Sequence, residues 1–221
     1  MRSTDRTPMD TSAHRGQRMP RSERRAQLLV AAQSVFVERG YHAAAMDDIA
    51  EHAGVSKPVL YQHFPGKLEL YLALLDEHCD TLEGLVREAM AAPAEDNEDR
   101  VRATISAYFD FVSREGAAFR MIFESDLTSV PQVRSRLDGL ELACAEAIAD
   151  VIAHDAGIPD DHAMLLASGL SGMSQITARH WLAAESDLSR EDASALVTAL
   201  VWRGIGSLPK AGGERSDAAQ G

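Results

Sequence analysis

Apolar positions recur along this chain at three- and four-residue spacing almost from end to end, the period of a helix buried on one face. Leu28, Leu29, Ala32, Val35 and Phe36 stripe a first helix over 22–39, with Ser22 placed to cap it and Gly40 to end it. Ile49 and Ala53 mark a short second helix over 46–53. Gly54 follows, where a left-handed backbone costs least because no Cβ is present. Val55, Leu60 and Phe64 face inward on or beside a third helix that Ser56 caps and Pro58 opens. A single stripe then runs over 66–91 through Leu68, Tyr71, Leu72, Leu75, Cys79, Leu82, Leu85, Val86 and Met90. At ~1.5 Å per residue that helix is about 40 Å long. Val101, Ile105, Tyr108, Phe109 and Val112 predict a fifth helix stopped at Gly116, and 117–123 a brief sixth. Leu137, Leu140, Cys144, Ile148 and Ile152 stripe a seventh that stops near Gly157. An eighth spans 160–184, and a ninth opens at a capping box of Ser189 and Asp192. No strand alternation, internal repeat or glycine-rich phosphate cradle interrupts the pattern, so the expected fold class is all-α with about nine helices.

The stretch over 46–64 changes the picture from helical protein to candidate DNA reader. Two short helices across a tight glycine turn are the pattern of a helix-turn-helix, although an ordinary helical hairpin reads the same way. If the third helix reads a groove, Lys57, Val59, Tyr61, Gln62 and His63 are the side chains left to do it. Gln62 suits two-pronged pairing with adenine, and Val59 suits a thymine methyl. The net charge of −12 argues against nucleic acid until the chain is divided. Residues 1–67 carry net +3 and the remainder net −15, a basic head on an acidic body that favours phosphate at one end only.

Those residues resemble the N-terminal domain of the tetracycline-repressor (TetR) family. The resemblance rests on GYHAAAMDDIAEHAGVSKPVLYQHFPGKLELY with its preceding helix, and YQHFPGKLEL is its most telling part. It implies a dimeric transcriptional regulator, most simply a repressor that a small lipophilic effector releases from double-stranded operator DNA. By resemblance Tyr61 and His63 hold the DNA backbone, and Lys67 sits on phosphate at the start of the long helix. The family carries hydroxyl residues just before its second helix, where this chain has Ala44 and Ala45. The same resemblance places an effector cavity among Tyr108, Phe111, Phe119, Phe123, Met173, His180 and Trp181, which plain core packing would explain equally. The last two helices become a dimer interface through Met173, Leu196, Leu200, Val201 and Ile205, unless they form only an intrachain hairpin. Gly169 and Gly172 inside the eighth helix each cost about 1 kcal/mol relative to Ala, which close packing would offset.

The implied organisation is an Arg-rich tail over 1–20, a DNA-binding domain over 21–67, an effector and dimerisation domain over 68–208, and a tail over 209–221. Polar composition predicts disorder for both tails. Arg15, Arg18, Arg21, Arg24 and Arg25 crowd the entry to the first helix, either as a solvated tail or as an arm that meets DNA. Cys79 and Cys144 read as buried free thiols in a reducing cytoplasm. No apolar run approaches the ~20 residues of a membrane span. His78 beside Cys79, and His154 beside Asp155, lack the spacing of a zinc site, and no Ser, His and acid arrangement stands out. The chain is therefore expected to need no cofactor or metal and to catalyse nothing.

Overall fold

The computed structural model describes residues 19–94, 96–114, 116, 126–184 and 187–204. Among the described residues the chain forms eight α-helices and one 3-10 turn, with no strand. Three of them make an N-terminal head: α1 (Arg21–Ala43), α2 (Met46–His52) and α3 (Lys57–His63). The long α4 (Lys67–Ala91) leads into a body of α5 (Asn97–Arg114), α6 (Pro131–Ala156), α7 (Asp160–Ala183) and α8 (Arg190–Arg203). The 3-10 turn Asp126–Ser129 precedes α6. The brief helix expected over 117–123 and both expected tails, save residues 19 and 20, lie outside the described residues.

The head closes on Leu28, Ala32, Val35, Ile49, Ala50, Leu60 and Phe64, all nearly inaccessible to water. Each large side chain so buried contributes about 1.5–3 kcal/mol relative to exposure. Gly54 takes φ +66, as the turn between α2 and α3 requires. Two caps differ from expectation. α1 begins at Arg21 behind Pro20, and Ser22 lies inside it rather than capping it. Ser56 holds the N-cap position of α3 without a side-chain cap, its backbone carbonyl instead accepting from Val59 and Leu60 N–H. Gly40 does interrupt α1, at φ 74 and ψ 163, but one further turn continues to Ala43.

In the body, α5 packs against α4, α7 and α8, so its buried arc is wide: Thr104, Ile105, Ala107, Tyr108, Phe109, Phe111 and Val112. α4 meets α1, α5 and α6, and its buried stripe is broader than the single face read from the sequence. Leu70, Leu74 and His78 are buried, while Leu68, Leu72 and Leu85 are only half-buried. Ser189 caps α8 by accepting from Asp192 N–H at 3.0 Å, and Gly157 ends α6 in the left-handed region.

α7 is turned inside out for a lone chain. Its inward face is made of the small residues Ala163, Ala167, Ser171, Ser174 and Ala178. Four of its large apolar residues point outward, with Leu165 74%, Leu166 56%, Ile176 58% and Met173 38% exposed. Gly169 and Gly172 lie on that outer face between Leu165 and Ile176, and a Cβ added at either meets nothing within 4 Å. Packing within the chain therefore does not explain these glycines.

Candidate DNA interface and body cavities

With Leu60 and Phe64 turned into the head, the opposite face of α3 presents Lys57, Tyr61 and Gln62, with Val59 and His63 half-buried beside them. Lys57 Nζ pairs with Asp47 at 2.5 Å, and both side chains are more than half exposed. Such a surface pair is worth about 0–1 kcal/mol, so an arriving phosphate can take the lysine. The N-terminus of α1 joins this face, carrying Arg21 and Arg24 of the arginines that the sequence offers either as a solvated tail or as an arm that meets DNA. Arg21, Arg24 and Met19 line one surface concavity with Gly54, Val55, Ser56, Val59 and Gln62. Arg24 donates to Gln27 Oε1 at 2.6 Å, and Gln27 donates to the Ala53 carbonyl at 2.9 Å, which fixes α1 to the turn. Arg25 covers the Phe64 ring at 4.4 Å. Burial, with Arg21, Arg25 and Arg24, lowers the pKa of His63, so its ring favours the neutral form. The crowding of arginines at the start of α1 is the sequence signal that points to this patch.

Lys67, expected on phosphate, is hydrogen-bonded within the head in the protein without DNA. Its ammonium donates to the carbonyls of Tyr41 at 2.7 Å, Ala44 at 2.8 Å and His42 at 3.3 Å. Those oxygens belong to the end of α1, where helix carbonyls lack intrahelical partners. Before α2, Ala44 and Ala45 offer no hydroxyl, as the sequence shows, and Ala45 N–H goes to Asp48 Oδ2 at 3.2 Å.

The residues expected around one effector cavity fall in three different places. Tyr108 and Phe111 are core, and Tyr108 Oη lies 2.6 Å from Ser171 Oγ in a buried hydroxyl pair. Burial pushes the Tyr108 pKa far up, so the phenol stays neutral. Trp181 packs on Phe109 with ring centroids 5.7 Å apart and donates Nε1–H to the Leu188 carbonyl. Trp181 and exposed His180 line an open groove of about 660 Å³ together with Ile176, Leu188, Leu196 and Val197. Met173 faces outward on α7. Phe119 and Phe123 lie outside the described residues.

An apolar cavity of about 220 Å³ does occur, at the end of the body farthest along α4 from Lys67. Met90, Val101, Thr104, Ile148, Ile152 and Leu170 line it, with Trp202 from α8 and the ion pair of Arg100 with Asp155 at 3.0 Å. Among the described residues, none of those expected around the effector lines it; the residues that do read in the sequence as ordinary helix stripe.

On the expected dimer face, Leu196 is 48% exposed, Leu200 and Val201 are half-buried, and Ile205 lies outside the described residues. Cys79 and Cys144 are buried free thiols whose pKa values burial raises to about 12 and about 11, which makes them unreactive. Among the described residues no group of three or more His, Cys, Asp or Glu side chains could hold a metal, and no helix is long and apolar enough to cross a membrane.

Comparison with known proteins agrees with this geometry. The family model of bacterial regulatory proteins, tetR family, matches residues 28–74, which span α1 to α4. The HTH-type transcriptional activator FasR of Mycolicibacterium smegmatis is 46% identical over 195 residues, covering 88% of this chain and 89% of that protein. The regulator EthR of the same organism is 28% identical over 92% of this chain and 97% of its own length. The crystal structure of FadR from Bacillus subtilis in complex with stearoyl-CoA shares the fold, with TM-score 0.68 at 19% identity over 81% of this chain and 98% of that one. A head built to read a groove and a relative so similar over nearly its whole length make this chain a helix-turn-helix transcriptional regulator, a member of the TetR family.

Proposed function

We propose that the protein works as a homodimer whose two heads hold an operator and release it when a small lipophilic effector enters the body. In this reading 21–67 reads DNA and 68–208 binds effector and partner. Gln62 and Val59 face base edges, while Lys57, Tyr61, His63, Arg21 and Arg24 meet the backbone. The outward leucines of α7 and Leu196 of α8 support a two-fold contact between copies.

The observation that carries the effector reading is the distal cavity, lined mostly by apolar side chains, with Asn97, Thr104 and the ion pair of Arg100 with Asp155 as its polar groups. At ~30 Å³ per water-sized group, about 220 Å³ takes roughly seven such groups, which is a short chain segment or a small ring. That is less than the ~300–1,000 Å³ of a drug-sized site. A longer molecule enters only by parting α5 from α6 and from the end of α4, and that movement is the work that release requires. Stearoyl-CoA in the FadR structure supports a fatty-acyl effector of this kind. Release of operator at a ratio of about 100-fold needs the ligand to prefer the released form by about 2.7 kcal/mol.

A duplex selected by the wild-type protein from a random library serves as the operator probe. Stearoyl-CoA and octanoyl-CoA, titrated against that complex, should lower its affinity, and native mass spectrometry should show one acyl chain per protomer. The effector reading fails if neither molecule binds and the purified protein carries no apolar compound. The sign of regulation has a second reading, favoured by FasR, which is named an activator. Deletion of the gene separates the two: transcription from the operator-bearing promoter rises for a repressor and falls for an activator.

A further inference from the structure

Lys67 is the first residue of α4, yet its side chain runs back to the end of α1. Three N–H groups meet three carbonyls, those of Tyr41 and His42 in the last turn of α1 and of its C-cap Ala44, before the chain turns into α2. The same ammonium lies 4.5 Å from the centroid of the Tyr41 ring. That ring meets Tyr71 of α4 edge-on at 5.2 Å and stacks on Phe36 of α1 at 5.8 Å, while Phe36 and Tyr71 meet at 5.6 Å. One cation and three rings therefore tie the junction of α1 and α2 to the helix that enters the body.

We propose that Lys67 is a positioning residue for operator recognition: it clamps the entry of α2 onto α4, and it does not contact the DNA backbone. An ammonium has three donors, and here all three are used on backbone carbonyls around the end of α1. The negative end of the α1 dipole adds to the attraction. A phosphate contact would require freeing at least one of these donors from its carbonyl. The arrangement makes the orientation of α2, and of α3 behind it, follow any shift of α4 against α1. The proposal rests on DNA binding by the head and is independent of the effector.

The test compares the full-length protein with Lys67→Met, which keeps the unbranched stem over Tyr41 and removes donors and charge. Affinity for the selected duplex is measured across a salt series, and amide exchange is followed by mass spectrometry in the absence of DNA. Affinity should fall about tenfold, with the salt slope unchanged and exchange faster over 41–52 but not over 160–183. Lys67→Arg, which retains donors and charge, should restore exchange protection and most of the affinity. A slope shallower by about 0.9 per protomer with unchanged exchange would make Lys67 a phosphate ligand and overturn the proposal. Faster exchange throughout the chain would make it a general stabiliser, and unchanged affinity would remove it from recognition; either result also overturns it.

Discussion

Replacing Gly169 by Leu should move folding and dimerisation in opposite directions. Within one chain the substitution is free of strain, because Gly169 sits on the outer face of α7 and a Cβ there meets nothing within 4 Å. Removing a mid-helix glycine should therefore stabilise the isolated protomer by up to about 1 kcal/mol. Across a two-fold axis the same side chain is a wedge, since Gly169 and Gly172 lie between Leu165 and Ile176 on the face proposed to meet the partner. Overpacking costs about 1–3 kcal/mol per site. Symmetry places it twice, so the dimer should lose about 2–6 kcal/mol, and its dissociation constant should rise between roughly 30-fold and 10⁴-fold. Sedimentation velocity over a nanomolar to micromolar series reads that change, and a melt at a concentration where both proteins are monomeric reads the other. Operator affinity should fall with the dimer, because two heads at fixed separation are needed for a two-part site. A dimer equally tight in the variant, with a more stable protomer, would show that this face meets no close partner and would refute the reasoning.

Val151→Trp, which fills the wall of the distal cavity, should leave affinity for the selected duplex intact while abolishing its loss on adding octanoyl-CoA; retained release would move the effector elsewhere. Tyr108→Phe leaves the buried Ser171 hydroxyl without its 2.6 Å partner, and the urea midpoint should drop by the equivalent of about 1–3 kcal/mol. His78 is 6% exposed with Nε2 unpartnered, and burial lowers its pKa to about 4. Between that value and its ordinary pKa of about 6.5 the unfolded chain binds the extra proton. Stability is therefore full above about pH 6.5 and falls by about 1.4 kcal/mol per unit as pH drops toward 4. Urea melts at pH 7 and pH 5 should show this loss in the wild type and a smaller one in His78→Phe.

Features that depend on neighbours along the chain are legible in the sequence by itself. Gly54, Gly157 and the Ser189 cap act over three or four residues, so the turn of the head and the helix ends around them follow from local chemistry. The apolar period likewise predicts all eight described helices, and YQHFPGKLEL is enough to expect a TetR-type head. Tertiary structure decided which arc of each helix is covered, because periodicity names a face but not the number of helices packed on it. α4 has three neighbours, so Leu70, Leu74 and His78 went inside; α7 put Ala163, Ala167 and Ala178 inward and Leu165, Leu166 and Ile176 out. The proposed effector residues separated for the same reason, Tyr108 into the core, Met173 to the surface and Trp181 to a groove, while a cavity formed among residues with no chemical signature. Lys67 follows the same rule over a longer distance. Its partners lie 23 to 26 residues away, and only the fold of α1 over α4 could show that its charge is spent on carbonyls.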